Sequence, residues 1–106
     1  MNPQDKVSQL QVLQQNLQNV SLQKQQLHTQ VIEIDSALTE LKNTSQAYKI
    51  VGKIMLASSK EELEKDLLEK KEVIEIRLKN FVQQEEKLQQ NIDDLQKEVM
   101  EELKNK

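Results

Sequence analysis

The sequence contains no cysteine and no tryptophan, and it has one glycine, one proline and two aromatic residues, Tyr48 and Phe81. The lack of cysteine excludes disulfides and thiolate metal sites. The shortage of aromatic side chains argues against a compact globular core, which normally gains much of its buried area from them. The scarcity of glycine and proline excludes collagen and a flexible Gly/Ser linker.

Long apolar runs and an excess of basic charge are also missing. No apolar run approaches the roughly 18 residues of a membrane span, and the amino-terminal residues do not form the apolar core of a signal peptide. The net charge is −3 with both signs interspersed, so no basic stripe is present to neutralise nucleic-acid phosphates. One histidine makes no metal site. We therefore expect a cytoplasmic, non-enzymatic protein without metal or cofactor, which binds neither nucleic acid nor membranes.

What the chain does contain is typical of long helices. Charged residues make up 31% of the sequence, and glutamine is abundant; these residues favour exposed helix faces. In the first half, a stripe recurs at alternating steps of three and four residues, and all its members but one are apolar. The members are Leu10, Leu13, Leu17, Val20, Lys24, Leu27, Val31, Ile34, Leu38 and Leu41.

The second half repeats this spacing, with Lys71, Glu85 and Glu102 as the polar members. The full stripe is Leu67, Lys71, Ile74, Leu78, Phe81, Glu85, Leu88, Ile92, Leu95, Val99 and Glu102. A repeat of 3.5 residues keeps one stripe against a partner helix, as in a left-handed coiled coil. Asn2 and Pro3 suit the start of the first helix, and Ser59 with Glu62 reads as a capping box for the second.

The segment between the stripes, residues 47–58, favours two short strands joined by a tight turn at Gly52-Lys53, where glycine supplies a positive φ. In that register Tyr48, Ile50, Met55 and Ala57 share one face, and Val51, Ile54, Leu56 and Lys49 share the other. An isolated hairpin with unpaired edges is marginal in water. We therefore expect hairpins of several chains to associate.

These elements predict a mostly α fold in one domain spanning 1–106. Helix 1–43, hairpin 47–58 and helix 60–105 would form a long antiparallel two-helix coiled coil, with the hairpin at one end and both termini at the other. The hairpin would pair with hairpins from other chains. Its candidate assembly residues are Tyr48, Ile50, Val51, Gly52, Ile54, Met55 and Leu56.

The Tyr48-Lys49-Ile50-Val51-Gly52 segment between two heptad helices, followed by Ile54-Met55-Leu56, resembles the β-type subunits of the prefoldin family. The likeness covers nearly the whole chain, and the hairpin segment carries its specificity. Members of the α type have two hairpins and a longer chain. Some members also have an extended carboxy-terminal tail that is not found in this sequence, so the resemblance assigns no chaperonin-contact residues here.

The resemblance implies an ATP-independent chaperone of archaeal type. Two α-type and four β-type subunits would form an α2β4 hexamer, in which the hairpins assemble into an intersubunit β-barrel. Six coiled-coil arms would extend from this body, hold unfolded clients at their tips and pass them to a group II chaperonin. The candidate client-binding residues, here called the arm-end residues, lie near the termini. They are Val7, Leu10, Val12, Leu13, Leu95, Val99, Met100 and Leu103.

Two alternatives stay open at the level of sequence. The chain could be a purely structural coiled-coil module without a client, although a spacer has no need of a hairpin with two apolar faces. Lys24 and Glu85 interrupt opposite stripes at similar heights. They can form an interhelical pair that fixes the register, or each can extend to water.

Overall fold

The computed structural model describes residues 3–104, in the order helix, strand, strand, helix. Helix α1 spans Pro3–Lys42, strand β1 Ala47–Val51, strand β2 Ile54–Ser58 and helix α2 Lys60–Lys104. The expected fold class of two long helices joined by a short antiparallel hairpin is confirmed. The assignment of all 106 residues to one domain stays a prediction, and the proposed cap at Asn2 lies outside the described residues.

Local chemistry explains where the elements begin and end. The Ser59 Oγ accepts a hydrogen bond from the Glu62 backbone N–H at 3.1 Å, which confirms Ser59 as the amino-terminal cap of α2. The side chains of Glu61 and Glu62 also lie in the first turn of this helix, where negative charge is favourable. At the end of α1, the Asn43 N–H donates to the Glu40 carbonyl at 3.0 Å, a tightened final turn that closes the helix.

The chain packs as two compact units, each with its own part of the stripes. One unit consists of residues 26–78. Its buried side chains are Leu27, Ile34, Leu41, Ala47, Ile74 and Leu78. Apart from Ala47 in the hairpin, all of them belong to the predicted stripes, so the heptad is the core of this unit.

The other unit combines residues 3–25 with 79–104. Ile92 and Val99 are buried in it, and the remaining stripe positions from Leu10 to Lys24 and from Phe81 to Glu102 are half-buried. Ion pairs join Lys6 to Glu102 and Lys24 to Glu85, so the two helical segments of this unit run antiparallel. We call the stripe positions of both helices the seam.

Neither helix is apolar enough to cross a membrane, within the residues that the structure describes.

Candidate functional site

The hairpin presents two distinct faces because its strands pair in a defined register. Tyr48 lies opposite Ala57 and Ile50 opposite Met55, which puts these four residues on one face. We call this the uncharged face. The other, the lysine face, consists of Ala47, Lys49, Val51, Ile54, Leu56 and Ser58. The division of residues between the faces is as predicted.

Most of the hairpin's apolar area is open to solvent. All six large apolar residues predicted for assembly are exposed, in contrast to the buried heptad leucines of the same unit. They are Tyr48, Ile50, Val51, Ile54, Met55 and Leu56. Large apolar patches are rare on the surface of monomeric proteins, and they mark interaction sites.

The turn depends on Gly52. Its φ is +63°, and it is the only residue with a positive φ in the described chain. Glycine at the first central position followed by a residue with negative φ is the pattern of a type II′ turn, which matches the twist of paired strands. Gly52 therefore fixes the register that sorts the side chains onto the two faces.

The base of the hairpin is anchored to its own unit. Ala47 is buried, and the Tyr48 hydroxyl donates a hydrogen bond to the Gln46 side-chain oxygen at 2.7 Å. An open groove of about 450 Å³ lies beside this base. It is lined by Ala37, Glu40, Leu41, Thr44, Ala47, Tyr48, Leu63 and Leu67.

The arm-end residues fall into two groups. Val7, Val12, Met100 and Leu103 are exposed, as expected from their positions off the seam. The seam members Leu10, Leu13 and Leu95 are half-buried, and Val99 is buried. The first group therefore offers most of the free apolar surface in this conformation.

Val12 and Leu13 are brought together on one surface of α1. With Ser8 and Gln9 they line a shallow depression of about 370 Å³. It combines one exposed and one half-buried apolar side chain. A depression of this kind can accept an apolar side chain without specific hydrogen bonds.

An ion-pair cluster that was not predicted lies among the arm-end residues. The Lys6 ammonium contacts a carboxylate oxygen of Glu102 and lies 3.5 Å from Glu98 Oε2. The hydrogen bond that Lys6 donates to Glu102 raises the pKa of Lys6, against the opposing effect of desolvation. Extending the heptad four residues back from Leu10 reaches Lys6, so the sequence pattern already indicates that Lys6 occupies a seam position.

Two further lysines in the seam also pair across the helices. Lys24 Nζ lies 2.6 Å from Glu85 Oε1, which confirms the interhelical alternative for this pair. In the other unit, Lys71 Nζ lies 2.7 Å from Asp35 Oδ1 and 3.9 Å from Glu75 Oε1. The hydrogen bond with Asp35 raises the pKa of Lys71. Each seam lysine thus meets a carboxylate of the opposite helix.

Exposed apolar side chains also occur away from the hairpin and the helix ends, a feature that sequence reasoning did not single out. Leu22 and Val82 lie in the same unit as the arm-end residues, and the unit with the hairpin adds four more. These are Ile32, Leu68, Val73 and Ile76. Exposure alone therefore does not distinguish the arm-end residues, and matched residues elsewhere are available as controls.

Comparison with known proteins identifies the family of this chain. Residues 4–106 match the family model described as prefoldin subunit. The prefoldin subunit beta of Archaeoglobus fulgidus is 40% identical over 99 residues, which cover 91% of this chain and 85% of the relative. That of Pyrobaculum islandicum is 36% identical over 103 residues, covering 94% and 82%.

A solved structure agrees with this assignment. The crystal structure of the prefoldin beta subunit from Thermococcus strain KS-1 is similar with a TM-score of 0.91 and 32% identity, covering 95% of this chain and 91% of that one. The match includes the two helices and the hairpin between them, and with it the resemblance found in the Tyr48–Leu56 segment is confirmed. The chain belongs to the prefoldin subunit family and is of its β type.

Proposed function

We propose that this chain is the β-type subunit of an ATP-independent chaperone that captures unfolded or nascent proteins and transfers them to a group II chaperonin in the cytoplasm. Its partners would be α-type subunits in an α2β4 hexamer. The observation that carries the proposal is the hairpin, whose two faces expose six large apolar side chains in a chain of the prefoldin family.

The hairpin supports assembly because it is incomplete by itself. A two-stranded sheet is marginally stable in water, and this one leaves both outer edges unpaired within the described chain. Burial of apolar surface contributes about 25 cal/mol per Å². Covering the exposed side chains with hairpins of other subunits therefore supplies a driving force for assembly.

The exposed arm-end residues support client binding. Val7, Val12, Met100 and Leu103 each expose an uncharged, apolar side chain, and methionine adapts to irregular partners. One such patch binds weakly and without reading sequence. Several patches on one assembly raise the local concentration around a bound client and can strengthen binding by about 10²–10⁴, so assembly becomes a condition of function.

The test compares two double variants within the same unit. Val12→Ser with Met100→Ser removes two arm-end side chains that are 60% and 62% exposed. Leu22→Ser with Val82→Ser removes two exposed apolar side chains, 56% and 38% exposed, that lie further from the helix ends. Each variant is mixed with α-type subunit, and suppression of the aggregation of a denatured client is measured by light scattering at equal assembled concentration.

We expect the arm-end variant to lose most of the suppression while the control retains it. Equal suppression by both variants at the wild-type level would place client binding elsewhere. If wild-type assembly suppresses no aggregation, the chaperone proposal fails, and a purely structural coiled-coil module becomes the better description. Equal assembly of all proteins, checked by mass, separates a binding defect from an assembly defect.

A further inference from the structure

We infer that an ion-pair cluster among the arm-end residues is an autoinhibitory contact. The cluster consists of Lys6, Glu98 and Glu102, and we call it the Lys6 cluster. While it is closed, it holds the ends of the two helices together and keeps the neighbouring seam side chains from clients. This inference rests on the proposed function, because it assumes that the arm-end residues bind clients.

The Lys6 cluster forms the outermost layer of the seam. Lys6 lies four residues before Leu10 on α1, and Glu102 lies three residues after Val99 on α2. The Lys6 ammonium contacts Glu102 and lies 3.5 Å from Glu98 Oε2, so one lysine joins the start of α1 to the end of α2. Within residues 4–104 no apolar seam residue lies further out. The last layer of the seam is therefore ionic.

Four arm-end residues lie in the seam directly inside this layer and are covered while the ends are together. Val99 is 9% exposed, and Leu10, Leu13 and Leu95 are half-buried. Separation of the helix ends would uncover all four, and an apolar segment of a client could then bury them again. The apolar surface that a client can reach thus depends on whether the Lys6 cluster is closed.

The closed cluster is incompletely satisfied. Glu102 Oε2 is buried and accepts no hydrogen bond within residues 3–104, and a buried acceptor without a partner is unfavourable. Lys6 keeps only 15% of its side-chain exposure, so its ammonium has lost much of its hydration. Opening would return both groups to water, which offsets part of the lost ion-pair attraction. The cluster therefore holds the ends less firmly than an apolar layer would.

Opening at this end can also be local. Helix α1 begins at Pro3 and α2 ends at Lys104, so neither a turn nor a strand joins the two helices here. The ends of a chain open at lower free energy than the interior of an element. The last turns can therefore separate while the remainder of the unit stays folded.

The first experiment measures opening in the assembly with α-type subunits. The chain has no native cysteine, so Val99→Cys places a single thiol at a buried seam position, and its rate of maleimide labelling, followed by the mass of this chain, reports access. We expect Lys6→Gln to raise the rate by about fivefold or more, because Glu102 loses its counter-charge. The control Lys97→Gln removes the same charge from an exposed position, and Lys24→Gln breaks a seam pair further along α1. Both controls should stay within about twofold of the Val99→Cys chain.

The second experiment joins or frees the helix ends within one variant. Lys6→Cys with Glu102→Cys removes the cluster, and its two thiols are either bridged by a short bismaleimide or capped separately with a monofunctional maleimide before mixing with α-type subunits. Mass spectrometry confirms that the bridge lies within one chain. We expect the bridged assembly to require about twice the concentration of the capped assembly, or more, to suppress aggregation of a denatured client, because it offers less apolar surface.

The single variants complete this comparison. Lys6→Gln should suppress aggregation at about half the wild-type concentration or less, because its open ends add apolar surface, whereas Lys97→Gln should match wild type. Helical circular dichroism and the mass of each assembly check that the variants fold and assemble equally.

The outcomes separate the inference from the proposed function. An unchanged labelling rate at position 99 in Lys6→Gln would show that the cluster does not hold the ends together, and it would overturn the inference while the chaperone proposal stands. Faster labelling without better suppression, or equal suppression by the bridged and capped assemblies, would show that clients do not use the seam and would also overturn it. If the wild-type assembly suppresses no aggregation, the proposed function fails and the inference fails with it.

Discussion

The Lys24–Glu85 pair gives the most quantitative test of how the seam is held together. Lys24 Nζ lies 2.6 Å from Glu85 Oε1, and the two side chains keep 28% and 21% of their exposure. Fully exposed ion pairs couple by about 0.2–1 kcal/mol, and hydrogen bonds to charged groups contribute about 1.5–3 kcal/mol. A pair that is mostly but not wholly covered falls between them, so we expect a coupling free energy of about 1–2 kcal/mol.

A double-mutant cycle measures this coupling. The free energy of unfolding of wild type, Lys24→Ala, Glu85→Ala and the double variant is obtained from urea denaturation, followed by helical circular dichroism at one subunit concentration. The concentration is fixed because folding and assembly are linked. The coupling should fall in 1 M salt, since part of the pair is open to screening ions.

The control cycle uses Lys97→Ala and Glu86→Ala, which remove one charge of each sign from exposed positions of the same unit. We expect its coupling to stay below about 0.3 kcal/mol, because distant sites add independently. A Lys24–Glu85 coupling no larger than this control would refute the reasoning. Lys24→Leu with Glu85→Leu should raise the free energy of unfolding by about 1 kcal/mol or more, since an apolar seam pair avoids desolvation of the two charges.

Three further predictions concern single positions. Gly52→Ala should destabilise the hairpin by about 1–2 kcal/mol through its positive φ alone, since nothing beyond its chain neighbours lies within 4 Å of the added Cβ. In thermal melts, the control Lys53→Ala should have a Tm near that of wild type. A Gly52→Ala variant with a Tm as close to wild type as this control would contradict the turn assignment. Ser59→Ala should lower the free energy of unfolding by about 1 kcal/mol through loss of the cap, whereas Ser21→Ala within α1 should be neutral or slightly stabilising. The pKa of Lys71 is raised by its hydrogen bond with Asp35, so this pair contributes its full stability below the unfolded pKa of about 10.4. That contribution is lost as the pH rises through the higher folded pKa. Tm should fall less in that alkaline range in Lys71→Arg than in wild type, because arginine keeps its charge, and identical alkaline profiles would show that the pair adds no stability.

The helices and the hairpin could be predicted because each rests on a local, periodic signal. The seam positions of both helices are all buried or half-buried in the structure, since a 3.5-residue repeat leaves one stripe to face a partner. Gly52 among β-favouring residues marked the turn, and the alternation of side chains along two short strands then divided the two faces.

Partner choice among charged side chains could be predicted only in part. Lys24 and Glu85 were matched because both lie in the seam at similar heights. Lys71 was recognised only as a polar seam residue, because its partner Asp35 lies off the seam and is itself exposed. Such a contact depends on helix rotation and on long, flexible side chains, which a heptad pattern does not encode.

The arm-end residues show a different limit. Sequence position correctly separated Val7, Val12, Met100 and Leu103 from the seam, but Leu22 and Val82 are exposed in the same unit as well. An apolar side chain off the seam is exposed wherever it lies along the helix. Burial therefore does not identify the side chains that bind clients, and the matched variants are needed to test them.

The central claim is that the exposed hairpin of this chain is covered by other subunits in an assembly with α-type subunits. The most direct measurement is the mass of the purified chain by light scattering, alone and after mixing with a candidate α-type subunit. We predict a shift on mixing to the mass of six subunits, and loss of that shift in Met55→Lys. A mass that is the same with and without the α-type subunit would contradict the account.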